Sequence, residues 1–157
     1  MLPQRFAAAT RVLAAVAITA MLAACSMGGQ QLSAGLTARM DQPGAQLNRV
    51  EALFLLNDFR RLQGAADVRG DTVLDSTAQT LAANYAKSGT QPALPPGAVV
   101  MRLSAGYTTF AEAFSGWRNV PVDAAALAEP TAQRAGLGVA YEPGSTHGVY
   151  WVLVLAN

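Results

Sequence analysis

The chain has only one cysteine and one histidine among its 157 residues, and this scarcity limits its chemistry. A single thiol cannot form a disulfide within the chain, and zinc sites built from several Cys or His ligands are excluded. Charged residues make up only 13% of the sequence. They form no basic stripe interleaved with aromatics, so we expect no nucleic-acid partner. Alanine and glycine are abundant, which predicts a core in which helices pack closely through small side chains.

The single cysteine, Cys25, stands at the end of an N-terminal apolar run. Arg5 and Arg11 supply positive charge, and Val12–Ala24 is apolar apart from one threonine. This pattern is typical of a secretory signal, and the run is too short for a comfortable membrane span. We therefore predict that residues 1–24 are a signal peptide.

The segment Leu22-Ala23-Ala24-Cys25 resembles the lipobox of bacterial lipoproteins. The resemblance implies cleavage before Cys25, a diacylglycerol on its sulfur, and membrane attachment through that lipid anchor. The implied location is the cell envelope, on the periplasmic side. Ser26 favours the outer membrane, because an Asp at this position tends to retain such proteins at the inner one. The alternatives are ordinary cleavage that leaves an unmodified cysteine, and an uncleaved short anchor.

Removal of residues 1–24 would leave 133 residues, enough for one domain with its own core. The loss of Arg5 and Arg11 reduces the eleven basic side chains to nine, against ten acidic ones, for a net charge of −1. Residues 25–46 are rich in Gly, Gln, Ser and Ala, which predicts a lipidated N-terminus followed by a flexible tether. The folded domain is predicted to be 47–157.

Apolar spacing predicts four helices and three strands in this domain. The helices are Leu47–Gln63, Asp71–Ser88, one that follows a capping box of Thr109 and Glu112, and one from an N-cap at Asp123 to Ala128. The strands are Ala98–Leu103, Leu137–Tyr141 and Val149–Ala156, with the last two joined as a hairpin. Helices followed by a late hairpin indicate an α+β fold.

Several short motifs occur in an order that resembles the CAP superfamily of pathogenesis-related and cysteine-rich secretory proteins. They are Leu56-Asn57-Asp58-Phe59-Arg60, Asp71-Thr72-Val73-Leu74, Gly116-Trp117-Arg118-Asn119, Gly136-Leu137-Gly138-Val139-Ala140 and Tyr150-Trp151. The resemblance covers Val50–Asn157. It implies an α-β-α sandwich in which a small antiparallel sheet lies between helical layers.

The cleft of that superfamily is built mainly from two histidines and two glutamates, which hold a divalent metal in some members. Here Met101 stands where one motif has its glutamate, Ser115 at the second glutamate and Asp123 at a histidine. The other histidine is expected between Lys87 and Gly97, where there is none. The resemblance therefore implies a remnant cleft at Met101, Ser115 and Asp123 that has lost its polar ligands.

The remaining candidates for chemistry each have a structural explanation. His147 lies on the predicted hairpin tip, where a lone histidine is usually a solvated surface residue. Asp67 and Asp71 fit a turn and a helix cap, and Glu112 fits the capping box. No nucleophile elbow or phosphate-binding loop occurs. We therefore predict no catalytic residues, no metal and no cofactor.

The predicted function is non-enzymatic binding or interaction at the membrane, with an apolar ligand or an envelope protein as partner. One alternative is a carrier of a sterol-like or fatty-acid-like ligand, since Met101 would make a surviving groove more apolar. A less favoured alternative is a cell-wall hydrolase or peptidase with a rearranged site.

Overall fold

In the computed structural model, which describes residues 32–157, helices cover both faces of a four-stranded sheet. The helices are α1 (Ala34–Thr37), α2 (Arg49–Leu62), α3 (Thr72–Ser88), α4 (Phe110–Asn119) and α5 (Pro121–Leu127). The strands are β1 (Arg69–Gly70), β2 (Ala98–Ala105), β3 (Arg134–Tyr141) and β4 (Val149–Ala156). The sheet order is β1-β3-β4-β2.

Three strands of the sheet are antiparallel, as predicted. In the β3–β4 pairing Leu137 lies opposite Leu153, and in the β2–β4 pairing Met101 lies opposite Val154. The two-residue strand β1 pairs in parallel with the start of β3. Strand β1 was not predicted from the sequence, because two residues are too few to show a periodicity.

Strand β4 is buried along its whole length, and its alternate residues enter two separate cores. Val149, Trp151, Leu153 and Leu155 pack with residues of α2, α4 and α5. Tyr150, Val152 and Val154 enter the layer beneath α3. A central strand covered on both faces has side chains that alternate between two apolar layers. The predicted α-β-α sandwich is confirmed.

Helix α3 lies in direct contact with β3 because the strand carries glycines at the crossing. A Cβ on Gly136 would lie 2.2 Å from the carbonyl carbon of Leu74, and one on Gly138 would lie 2.3 Å from that of Ala78. Gln79 of α3 donates from Nε2 to the Val139 carbonyl at 2.6 Å. The two-residue strand β1 pairs with only the start of β3. Side-chain hydrogen bonds of this kind bind backbone groups along the rest of that strand edge.

The opposite layer is held together by large aromatic side chains. The ring of Phe110 lies 5.8 Å from those of Phe114 and Trp151, and 6.4 Å from that of Trp117. Trp117 donates from Nε1 to the Leu103 carbonyl at 2.9 Å, which fixes α4 to the edge strand β2. Aromatic groups in tilted and edge-to-face contacts contribute both buried area and specific geometry.

The observed helix N-caps agree with the predicted ones, except at the short fourth predicted helix. Asp71 accepts from the backbone N–H groups of Val73 and Leu74, and Thr109 and Glu112 form the predicted capping box. The predicted N-cap at Asp123 is wrong. The corresponding helix, α5, begins at Pro121, and Asp123 lies in its first turn. Proline is favoured at this position because the first turn needs no N–H donor there.

Two strand boundaries also differ from the prediction. β2 continues through Ser104 and Ala105, which pair with Trp151 and Tyr150, and β3 begins at Arg134. The pairing partners that extend a strand come from distant residues, so local turn signals such as Ser104-Ala105-Gly106 do not define its end.

The compact unit begins at Leu32, well before the predicted domain start at 47. Leu36 and Met40 are buried in the core, and the Met40 N–H donates to the Thr108 carbonyl at 2.8 Å. Residues 32–46 of the predicted tether therefore belong to the folded unit. Buried apolar side chains and this backbone hydrogen bond hold the stretch against the core, although its glycine and glutamine content predicted a spacer. The signal peptide of residues 1–24 and the lipidation site at Cys25 lie outside the described residues.

Over residues 32–157, the helices are too short or too polar for any of them to traverse a bilayer.

Candidate functional site

Met101 projects from β2 into the layer beneath α3. It packs, half-buried, with the cluster formed by Ala78, Ala82, Val152 and Val154. Its neighbours there are small or aliphatic, so a carboxylate at this position would lose hydration without gaining a partner. Methionine fills irregular apolar space well.

Asp123 lies on the other side of the sheet. Its carboxylate forms an ion pair with Arg102, with Nε and Oδ1 3.1 Å apart and both side chains about three-quarters buried. Within residues 32–157 the Arg102 Nε makes no hydrogen bond, but Nη1 donates to the Met101 carbonyl at 2.8 Å. Because successive residues of a strand point to opposite faces, Met101 and Arg102 cannot line one cleft.

Ser115 lies half-buried on α4, in the same layer as Asp123. Its hydroxyl accepts a hydrogen bond from Asn119 Nδ2 at 3.4 Å. The structure therefore places Ser115 and Asp123 on one face of the sheet and Met101 on the other, instead of around one predicted cleft. A guanidinium beside Asp123 neutralises the only carboxylate among the three positions.

Two acidic groups with lowered pKa values, Glu112 and Asp71, serve helix starts. Glu112 accepts from the backbone N–H groups of Thr108 and Thr109 at 3.0 and 2.9 Å, and these hydrogen bonds, that of Thr109 first, lower its pKa. The backbone N–H of Leu74 and the guanidinium of Arg134 lower the pKa of Asp71. Both carboxylates are ionised near neutral pH and carry no proton to donate.

His147 is exposed on the connection between β3 and β4, as predicted. Its ring lies 5.9 Å from that of Tyr150. Within the part of the chain described by the structure, no three His, Cys, Asp or Glu side chains are grouped so as to hold a metal ion.

Two polar residues in the Leu56–Arg60 motif have structural roles that the sequence analysis did not assign. Asn57 donates to the Val68 carbonyl and accepts from the Val68 N–H, both at 2.9 Å. Arg60 is fully buried and donates to the carbonyls of Leu127 and Glu129. Burial lowers the pKa of Arg60. The available signal was the position of Arg60 on the apolar face of α2, one turn after Leu56.

A surface pocket of about 460 Å³ lies between the segment Met40–Ala45 and strand β3. Its β3 wall is Val139–Tyr141, and Gln79 and Pro143 complete the lining. The lining has no acidic, basic or histidine side chain, and Gln79 is already bonded to Val139. The volume falls in the range of small-molecule pockets, and the lining suits binding better than proton transfer.

No sequence-family model and no curated protein matches the chain. Solved structures do resemble it. The crystal structure of MpPR-1i, a pathogenesis-related protein, matches with a TM-score of 0.57 and 20% identity over 68% of this chain and 88% of that one. An outer surface protein from Borrelia burgdorferi gives a TM-score of 0.56 and 14% identity, covering 73% of this chain and 98% of that one.

A cysteine-rich secretory protein from Staphylococcus aureus gives a TM-score of 0.51 and 12% identity, covering 68% of this chain and 37% of that one. All three are proteins of the CAP superfamily. At these identities the likeness establishes the fold: residues 32–157 have a CAP-like domain fold. The likeness says nothing about activity, which has to be argued from the side chains described above.

Proposed function

We propose that this chain is a lipid-anchored CAP-domain protein of the bacterial cell envelope that acts by binding and has no enzymatic activity. The observation that carries the proposal is the separation of Met101 from Asp123 by the sheet, together with the pairing of Asp123 to Arg102. A metal-dependent or acid–base site needs converging ligands or a proton donor beside a base. These positions supply neither.

Metal content of the purified protein tests the non-enzymatic part of the proposal. We expect far less than one zinc per chain after incubation with excess zinc and desalting. The variant Asp123→His restores the residue type of the superfamily motif and serves as a comparison. We expect it to bind no zinc either, since Met101 and Ser115 provide no further ligands. One tightly bound metal per wild-type chain would favour the alternative of a hydrolase with a rearranged site.

The lipid anchor rests on the lipobox at Cys25, and the outer surface location named for the Borrelia burgdorferi protein supports an envelope location by analogy. The variant Cys25→Ala should move the protein from the membrane pellet to the soluble fraction. Ser26→Ala is the matched control and should stay in the pellet. Intact mass spectrometry of the wild-type protein that showed a bare thiol at Cys25 would contradict the anchor.

The pocket beside Met40–Ala45 supports a second candidate, a carrier of a small apolar ligand. Saturable uptake of a fluorescent fatty acid by the delipidated protein is the test. Gln42→Trp places a large ring in the pocket and should weaken uptake. Gln46→Trp, on an exposed residue outside the lining, is its control. Equal uptake by both variants would remove this pocket from consideration.

A further inference from the structure

The chain enters the folded unit at a fixed point on the first turn of α2. Leu32 is the first residue of the compact unit, and Ser33 Oγ donates to Glu51 Oε2 at 2.5 Å. A Cβ on Gly35 would lie 2.8 Å from the Asn48 Cβ, so α1 fits closely against the start of α2. Leu36 is buried immediately afterwards. The entry point cannot move without disrupting these contacts.

Three exposed apolar side chains lie on the two segments that the Ser33–Glu51 hydrogen bond joins, and we call them the entry patch: Leu32, Val50 and Phe54. Their exposed fractions are 53%, 79% and 64%. Val50 and Phe54 are four residues apart on α2, so their side chains are neighbours on one helix face. Glu51, which holds Ser33, lies beside them in the first turn.

The charged groups on the same turn of α2 face the protein. Glu51 is half-buried and accepts from Ser33. Arg49 donates from Nε to the Leu137 carbonyl at 2.9 Å and from Nη2 to Gln79 Oε1 at 3.2 Å. The charges nearest to the entry patch are therefore held against the protein, and the next ones on this helix, Asp58 and Arg61, pair with each other beyond Phe54.

Seven peptide units separate Cys25 from Leu32, which allows a reach of about 25 Å even when fully extended. This is shorter than a small domain is wide, so an anchor at Cys25 keeps the entry point close to the bilayer. We propose that the entry patch rests on the membrane to which Cys25 is anchored, with Phe54 and Val50 in the interfacial region. This proposal rests on the proposed lipid anchor.

Exposed apolar side chains of this kind insert below the headgroups at the membrane interface. The acyl chains hold the domain at the surface, and the entry patch sets its orientation.

Tryptophan fluorescence of the full-length lipidated protein in vesicles tests the orientation. Both native tryptophans, Trp117 and Trp151, are buried, so a tryptophan at an exposed position can be read against the wild-type background. Phe54→Trp reports from the entry patch. Leu62→Trp is the matched control: Leu62 is 84% exposed on the same helix, about 12 Å further along its axis.

Vesicles with bromine on the lipid acyl chains quench tryptophans that reach the interface. We expect a blue shift and loss of most of the added emission of Phe54→Trp, with no bromine-dependent loss for Leu62→Trp. Val50→Trp should behave as Phe54→Trp does. Equal quenching in the patch and control variants, or none in either, overturns the proposal.

Flotation of the same samples distinguishes failure of the lipid anchor from failure of the proposed orientation. Wild-type protein that does not float with the vesicles has no anchor, and the orientation fails with it. Protein that floats while Phe54→Trp is unquenched retains the anchor but holds the patch away from the lipid. Cross-linked dimers in that second case would assign the patch to another copy of the chain.

Discussion

The two faces of the sheet are covered in different ways. On one face, α3 touches β3 through Gly136 and Gly138, with the small residues Ala78 and Ala82 in the layer between helix and strands. On the other, the rings around Phe110 fill a thicker layer beneath α2, α4 and α5. Where α3 crosses β3, the close face depends on the absence of side chains, whereas the thick face depends on their bulk. We therefore expect opposite kinds of substitution to damage them.

Truncation on the thick face should have the largest effect. Phe110→Ala removes a nearly fully buried ring and leaves a cavity, and we expect a loss of about 4 kcal/mol in the free energy of unfolding. Urea denaturation measures it. Val122→Ala, on an exposed residue of α5, is the control and should change stability by less than about 0.5 kcal/mol. A loss below about 1 kcal/mol for Phe110→Ala would show that the layer collapses to refill the space.

The buried arginine of the thick face should rank next. Arg60→Met keeps most of the apolar stem but removes the donors to the carbonyls of Ala66, Leu127 and Glu129. Carbonyls left without donors in the interior should cost about 3 kcal/mol. Arg61→Met is the matched control, because Arg61 is exposed and pairs with Asp58 and Asp67 at the surface. The control should lose less than about 1 kcal/mol. Equal losses in the free energy of unfolding for the two variants would show that the hydrogen bonds of Arg60 add no particular stability.

Enlargement on the close face should follow. Gly138→Ala adds a methyl that would lie 2.3 Å from backbone atoms of α3, so helix and strand must separate. We expect a loss of about 2 kcal/mol in thermal or urea unfolding. Gly144→Ala, where the added Cβ would meet nothing closer than 3.9 Å, should be neutral. If Gly138→Ala left the stability unchanged, the close face would not depend on the absence of a side chain at this position.

The smallest effect concerns the acid sensitivity of α4, which belongs to the thick face. Hydrogen bonds lower the pKa of Glu112 in the folded state below the ordinary glutamate value of 4.5. Its contribution to stability is therefore complete above pH 4.5 and is lost as the pH falls through the lowered pKa. Glu112→Gln keeps a capping-box residue but not the charge, so it should flatten the acid part of the stability curve and lose a little stability near neutral pH. Chemical denaturation from strongly acidic to neutral pH measures both curves, and parallel curves would refute the assignment.

The sequence predicted which helices and strands form better than it predicted the residues at which they and the domain begin. The spacing of Phe110, Phe114 and Trp117 identified α4, and the caps at Asp71 and Thr109 located two helix starts. The start of the domain was missed because Leu36 and Met40 stand in a stretch whose composition is typical of a spacer. Their burial depends on α2 and on the start of α4, which lie far along the chain.

The candidate site, too, was predicted only in part from the sequence. The motif comparison identified Met101, Ser115 and Asp123 as the positions to examine and showed that none is a histidine or glutamate. It did not identify Arg102 as the partner of Asp123. That contact joins a strand to a helix 21 residues later, and no local pattern encodes it.

The sequence by itself determined the residue types available for chemistry, the alternating pattern of β4 and the small residues that permit close packing of α3. Only the tertiary structure decided which face each residue joined, where the folded unit begins, and that Leu32, Val50 and Phe54 lie on the two segments that the Ser33–Glu51 hydrogen bond joins. The physical reason is that periodicity and capping act within a few residues. Burial and ion pairing instead depend on groups brought together by folding, whose distance along the chain leaves no local trace.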